Sequence, residues 1–435
     1  MKTSLTTIVT IVCITVFAFA NMSAASAQNI ARQAGAQTTQ TAEFCDCKKD
    51  LDFLASKMED MISYKKQIKG DKVAEFQKVY TSLSAEMETP ITQVDCMFKL
   101  NTLLSVVKDK HASLSSNNAP ITSEQYKDSL YVAQFKQSEI FKNHPTVSEN
   151  LNALRTRLAK TFFDAIEGIY VDKYVGELAV YETAKTGEYV AVVLKSTSDF
   201  WGEGQIAYYI HNIQGDEYQV LRYHPYTRML WFQKSMLAYN GKLWGLQKPL
   251  DSPNFTEAPE ENGDWEFKQL TEDTQYLYFG SFSNRESNVD AFKTFYATYK
   301  DQIKASNIIV DLRNNVGGNS KYSDPFVKIL KKSGAKVYIL TNYFTGSNGE
   351  QFTLKLRKLD NAVHLGQRTN GIIAYGLNYG TGYESPTGNF LFYPTDMNFH
   401  KFIDYEMVGI QPQMALDFSK DWIAQTLDII NEQLP

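Results

Sequence analysis

The 435-residue chain has little of several things that would each point to a class of protein. Its formal charge of -5 carries no basic excess, so composition offers no field to gather a polyanion, and nucleic acid is not expected as a partner. Histidines number only six and cysteines four. Cys13 lies inside an N-terminal apolar run, with Val12 before it, in a setting that does not suit a lipid anchor. The remaining Cys45, Cys47 and Cys96 show C-x-C spacing without a neighbouring histidine, which is a poor metal set. His211 and His224 fall in strand-like runs and read as strand-surface residues, so no metal or cofactor is expected. Beyond the first twenty residues no apolar run is long enough to span a bilayer.

Hydrophobic residues make up 43% of the chain, enough for a large core divided over two or three domains. Lys2, the apolar run Ile8 to Ala20 and the small-residue end Ala25-Ser26-Ala27 have the form of a cleavable secretory signal over 1–27. Cleavage near Ala27 would release a periplasmic or extracellular protein starting at Gln28. Residues 28–41, rich in Gln, Ala and Thr, read as a disordered lead-in. In that oxidising compartment a disulfide from Cys96 to either Cys45 or Cys47 is expected.

Apolar residues at three- and four-residue spacing, Leu51, Leu54, Met58, Met61, then Val94, Met97, Leu100, Leu104 and Val107, predict a helical domain over 42–165. Its second helix would end in Lys108-Asp109-Lys110-His111, where a histidine suits the negative end of a helix. From Ile169 the texture changes to alternating, aromatic-rich runs at 189–194, 205–210, 218–223, 228–234 and 242–246. These predict an antiparallel β domain, a small barrel or sandwich, over 166–264. The carboxylate-rich 253–264 reads as a linker.

The rest, 265–435, has the alternation of strands and helices that builds an α/β core. Apolar, β-branched residues 307–312 predict a strand buried on both faces, and they end in Arg313-Asn314-Asn315-Val316-Gly317-Gly318. Paired glycines after a strand permit a sharp turn with exposed amides, the makings of an anion-binding concavity. A helix and a second strand, 336–341, follow, and that strand leads to Thr345-Gly346-Ser347-Asn348-Gly349-Glu350. Ser347 therefore stands at the carboxyl edge of the sheet where a helix begins. Ser-x-x-Glu is also an ordinary capping box, a reading that leaves the Gly-Gly turn unexplained. His364 falls on a further strand and reads as a packed core residue.

At these residues the chain resembles the tail-specific, or C-terminal processing, serine peptidase family. Asp311 to Gly318 is similar to its DLRxNxGG motif, and Ser347 with Glu350 to its nucleophile. Gly366 to Gly371 matches GxxTxG, and Glu406 to Pro412 the EGxGIxPD close. The resemblance covers about 276–416 and implies a crotonase-like catalytic core with ClpP-type ββα layers. In much of the family a lysine after T-x-G activates the serine, but Ile372 stands there. His111, in an Asp-x-His-Ala setting, is similar to the histidine of the tricorn-core-like branch. That branch implies Ser347 as nucleophile, His111 as general base and Glu406 as the group that orients the imidazolium. Amides of Asn348 and of Gly317 or Gly318 would form the oxyanion hole. The implied substrates are peptides or unfolded chains, and no glycine-rich loop suggests a domain that selects free C-termini. A non-catalytic peptide binder and an esterase with the same triad are the other readings.

Overall fold

The computed structural model describes residues 44–432 apart from 119–120, 123, 251–253, 259–262 and 379, so the expected signal and lead-in lie outside the described residues. The chain divides into two compact units, one holding 119–228 and 241–249 and the other 43–118, 229–240 and 250–435.

In the first unit, Gly168–Asp172, Gly176–Glu182, Glu188–Ser196, Ile206–Gln214 and Glu217–Tyr223 pair antiparallel with their sequence neighbours. A short hairpin, Lys242–Leu243 with Leu246–Gln247, joins the first of these strands through Gln247 and Val171. Ala179, Tyr181, Val190, Val192, Leu194 and Ile206 bury one face, against Leu154 and Leu158 of the helix Leu151–Leu158. The central strands are buried over runs of consecutive residues, Leu178 to Tyr181 and Val190 to Leu194, rather than at every second residue. His211 lies across from Glu188 on the sheet, and no cluster of metal-binding side chains occurs among the described residues.

The second unit opens with helices α1 (Cys47–Asp60), α2 (Asp71–Glu86) and α3 (Gln93–Leu104). Thr92 caps α3 by accepting from the Asp95 amide. Cys47 on α1 is bonded to Cys96 on α3, leaving the buried Cys45 outside the disulfide. The bridge closes a span of 49 residues. By loop-closure entropy Cys96→Ala is expected to cost about 4 kcal/mol, measurable as a lowered denaturant midpoint that a reductant no longer changes.

One expectation fails here. The stretch 108–114 does not end a helix: α3 stops at Leu104, and β1 (Ser113–Ser116) pairs antiparallel with Phe390–Tyr393 and meets Trp231 through Ser115. Leu114 and Ser116 are buried while Ser113 and Ser115 are half-exposed. Alternating burial against distant partners overrode the helical spacing upstream. The run 228–234 likewise becomes β2 (Leu230–Leu237), part of this unit.

Apart from shorter pieces, the other elements of this unit are β3 (Trp265–Gln269), β4 (Thr274–Phe279), α4 (Glu286–Tyr299), β5 (Asn307–Asp311), α5 (Ser320–Ser333), β6 (Lys336–Thr341), α6 (Asn348–Leu356), β7 (Ala362–Gly366), β8 (Phe390–Tyr393), β9 (Met414–Ala415) and α7 (Trp422–Glu432). A six-stranded sheet runs β3-β4-β5-β6-β7-β9, with β3 antiparallel to β4 and the other pairs parallel. Alternation sorts the side chains. Leu277, Phe279, Ile308, Val310, Val337 and Ile339 point to one face, where Phe295 of α4, Phe326 of α5 and Phe352 of α6 cover them. Tyr276, Tyr278, Ile309, Tyr338 and Leu340 point to the other, where Trp422 and Ile430 of α7 lie. Covering both faces is what lets a parallel sheet be apolar throughout, and it sends the loops after β5 and β6 to one edge.

His364 on β7 is buried, as expected, with its Nε2 2.7 Å from Thr341 Oγ1. Burial lowers its pKa from 6.5 to about 3, helped by Arg357. The folded protein thus holds it neutral while the unfolded chain binds a proton below about pH 6.5, so stability present above that pH is lost on acidification toward the folded value. Between about pH 7 and about pH 4.5, His364→Gln is expected to lose some 2–3 kcal/mol less stability than the parent, read from urea midpoints.

Candidate active site

The loops after β5 and β6 are held together before any catalytic group is considered. Asp311, at the end of β5, is fully buried and accepts from Arg313 Nε and Nη2 and from Tyr276 Oη, while Arg313 Nη1 reaches Phe255 O at 2.8 Å. This buried pair turns the chain sharply. Asn315 then closes the turn: its Oδ1 accepts from Gly317 N at 2.8 Å, its Nδ2 donates to Phe279 O at 2.7 Å, and its carbonyl accepts from Gly346 N at 2.8 Å. Asn342 Oδ1 accepts from Asn314 N at 3.0 Å, a second tie between the two loops.

Glycine is required at the contact. Gly317 and Gly318 have φ of 97° and 130°, and a Cβ on Gly318 would lie 2.0 Å from Phe282 O. On Gly317 a Cβ would lie 2.6 Å from Asn348 N and 2.7 Å from Ser347 Cβ. The bare backbone of Gly317 therefore lies directly against Ser347 and the first amide of α6.

Ser347 has φ 50° and ψ −119°. A non-glycine residue in such a region stores about 1–3 kcal/mol, which persists only where the surroundings impose it. Here the buried Glu350 does so, accepting from Ser347 N at 3.1 Å. Glu350 also accepts from Thr369 Oγ1 at 2.6 Å, Gly371 N at 2.7 Å and Ile372 N at 2.9 Å. Burial nonetheless pushes its pKa up from 4.5 to about 7, the hydrogen bonds lowering it and Glu406 raising it. Asn348 is buried with its Oδ1 accepting from Ser323 Oγ at 2.9 Å, which fixes the start of α6. Ile372, where much of the resembled family has lysine, turns its Cγ2 toward Gly346, 3.0 Å from where a Cβ there would stand.

His111 lies on the segment between α3 and β1, and that segment is tied down on every side. Asp109 accepts from Ala112 N at 3.1 Å and from the Thr395 hydroxyl, while its carbonyl accepts from Lys234 Nζ at 2.6 Å. Lys110 N donates to Glu406 Oε1 at 2.7 Å, and Lys110 Nζ to Asn370 O at 2.8 Å. His111 Nδ1 is buried without a hydrogen-bond partner. Burial lowers the His111 pKa to about 4, with Asp109 opposing and Lys234 and Lys110 reinforcing. The ring is thus neutral at pH 7, the form that accepts a proton. Lys234 is itself buried, and desolvation lowers it to about 8.

Glu406 is buried and spends its oxygens on three amides, Lys110 N at 2.7 Å, Ile373 N at 2.8 Å and Ala374 N at 2.7 Å. Burial raises its pKa.

The structure therefore brings Ser347, Gly317, Gly318 and Asn348 to one edge and ties Glu406 to the residue before His111. No hydrogen bond joins the imidazole to Ser347 or to Glu406 among the described residues. Sequence reasoning missed the use of Glu350 beyond a helix cap, and missed Asp109, Lys234 and Thr395. Thr369 stood in the GxxTxG stretch and Asp109 two residues before the histidine, so both were signalled; Lys234 and Thr395 had no signal short of the fold.

No protein-family model and no curated protein sequence matches the chain. Solved structures do. An inferred peptidase from Parabacteroides merdae is 15% identical, with 89% of this chain and 97% of that one covered at a TM-score of 0.38. For the photosystem II D1 C-terminal processing protease the values are 14%, 86%, 93% and 0.33. For mature CPAF they are 11%, 89%, 97% and 0.39. At these values the likeness assigns no residue a role.

Proposed function

We propose that this chain is a secreted or periplasmic serine peptidase that cleaves extended peptides or unfolded chain ends, with Ser347 as nucleophile, His111 as general base and Glu406 as the residue that places His111. The observation that supports it most is the contact at Gly317. Only a residue without a side chain fits there, since a Cβ would lie 2.6 Å from Asn348 N, so the Gly317 backbone and the Asn348 amide flank a serine held in a strained turn. That is the arrangement acyl transfer needs: donors fixed where negative charge develops, beside the attacking oxygen.

In the proposed reaction a ring nitrogen of His111 takes the Ser347 proton as Oγ bonds to the substrate carbonyl carbon. The oxyanion is held by amides of Asn348 and Gly318, because the Gly317 amide is already donated to Asn315 Oδ1 at 2.8 Å. Collapse breaks the C–N bond, the imidazolium protonates the leaving amine, and water then releases the acyl group by the same steps. Glu406 acts through the Lys110 amide, since its oxygens are committed to backbone N–H groups.

A second reading, a peptide-binding protein without turnover, is favoured by the absence of a hydrogen bond between His111 and Ser347, although such bonds often tighten only with substrate bound. Fluorophosphonate labelling separates the two. Ser347 is expected to carry the adduct in mass spectra of digests, and His111→Ala to slow labelling by at least ~100-fold. A wild-type protein that takes no label while binding unfolded chains leaves only the second reading. An esterase would turn over small esters far better than peptides.

A further inference from the structure

Four consecutive backbone amides, those of residues 371–374, all point at buried carboxylates. Gly371 N and Ile372 N donate to Glu350 at 2.7 and 2.9 Å. Ile373 N and Ala374 N donate to Glu406 at 2.8 and 2.7 Å. Each carboxylate then reaches one residue further, in opposite directions: Glu350 to Ser347 N at 3.1 Å and Glu406 to Lys110 N at 2.7 Å. Both side chains are almost wholly inaccessible, at 0% and 1%. The turn carrying Ser347 and the segment carrying His111 come from residues more than two hundred apart in sequence, yet both hang from one short strap.

We propose that Glu350 and Glu406 are paired positioning residues which, through the shared strap 371–374, set the Ser347 turn and the His111 segment as one unit. This rests on the peptidase reading for its consequence, but the mechanical coupling does not. Loop satisfaction alone would need only that each buried amide find an acceptor. It would not need the same two carboxylates to hold the nucleophile's own amide and the amide preceding the base.

The device is sensitive to protonation at Glu350. A carboxylate accepts four hydrogen bonds; a carboxylic acid must turn one oxygen into a donor, and amides cannot accept it. The groups facing Glu350 are the Ser347, Gly371 and Ile372 amides and the Thr369 hydroxyl, all favouring the charged form, with Glu406 and burial opposing. His111, with Asp109, Lys110 and Lys234 around it, is already neutral well below this range. The acid limb of Ser347 reactivity should therefore belong to Glu350 and fall near pH 7, not to the imidazole.

Two measurements on the full-length protein test this. In the first, the fluorophosphonate labelling rate of Ser347 is followed against pH. Wild type is expected to show a sigmoid centred near pH 7, Thr369→Val to move it to higher pH by removing a donor to the charged form, and Glu350→Gln to lower the plateau at least tenfold and abolish the limb. A limb that stays put in both variants overturns the assignment. In the second, hydrogen-exchange protection, corrected for intrinsic rates, is mapped at 345–350, 371–374 and 110–112. Glu350→Gln, or Thr369→Val below its shifted limb should Glu350→Gln not fold, is expected to loosen all three segments. Glu406→Gln should do the same. Loosening confined to the turn nearest the substitution overturns the coupling, whether or not Ser347 takes any label. A wild type that takes no label at any pH sinks the peptidase reading and leaves the exchange result to decide the strap.

Discussion

Ser347→Ala is expected to abolish turnover, by about six orders of magnitude in kcat if the triad acts as a unit, while leaving peptide affinity and the fold in place. The fold should survive because nothing but the hydroxyl is removed: the Glu350 hydrogen bond is to the Ser347 amide, and alanine retains it. Alanine suits φ 50° no better than serine, so its melting temperature should stay close to that of the parent. Ser347→Gly makes the opposite trade. It is equally inactive, but relief of the strained torsion should stabilise the protein by ~1 kcal/mol. A gain in stability with total loss of turnover is the signature of strain kept for chemistry rather than for folding. Retained hydrolysis in Ser347→Ala would remove the nucleophile assignment and with it the peptidase reading.

Gly317→Ala carries the second large effect. Its Cβ would lie 2.6 Å from Asn348 N and 2.7 Å from Ser347 Cβ, at φ 97°, so strain and collision act together. Neither neighbour can yield cheaply, since Asn348 is locked through Ser323 and the Ser347 turn through Glu350. Displacing one oxyanion donor costs about 100- to 1000-fold in kcat, and the added methyl blocks the space the oxyanion needs. KM should change far less than kcat, because the ground-state carbonyl makes little use of those amides. A variant with normal kcat would show that the carbonyl oxygen is not received between the amides of Gly318 and Asn348.

How much of this was legible beforehand depends on the range of the interaction. The sheet from Thr274 to Gly366 could be read from sequence because each strand is a short apolar run and each crossover a helix, signals that live within about fifteen residues. The Gly-Gly turn was legible for a related reason: left-handed torsions leave a local compositional mark. The N-terminal region was less so. Helical spacing through Val107 suggested that 108–114 ended a helix, yet Ser113–Ser116 is a strand whose partner, Phe390–Tyr393, is nearly three hundred residues away. No local pattern reports on that pairing.

The site divides the same way. Ser347 and the glycines were named by position after a strand, whereas the dual role of Glu350, the commitment of Glu406 to amides and the buried Lys234 against Asp109 O needed the folded chain. His364 shows that the two levels can agree: a histidine on an apolar strand predicted a packed core residue, and Thr341 receives it.

The amino-acid sequence by itself determined the parallel core, the turn glycines and the serine at the head of a helix, since those follow from near-neighbour sterics and hydrophobic periodicity. Only tertiary structure decided how the turn of that serine is held, because Thr369 and the amides of Gly371 and Ile372, which complete the hydrogen bonds of Glu350, come from a chain segment whose proximity no neighbour in sequence encodes.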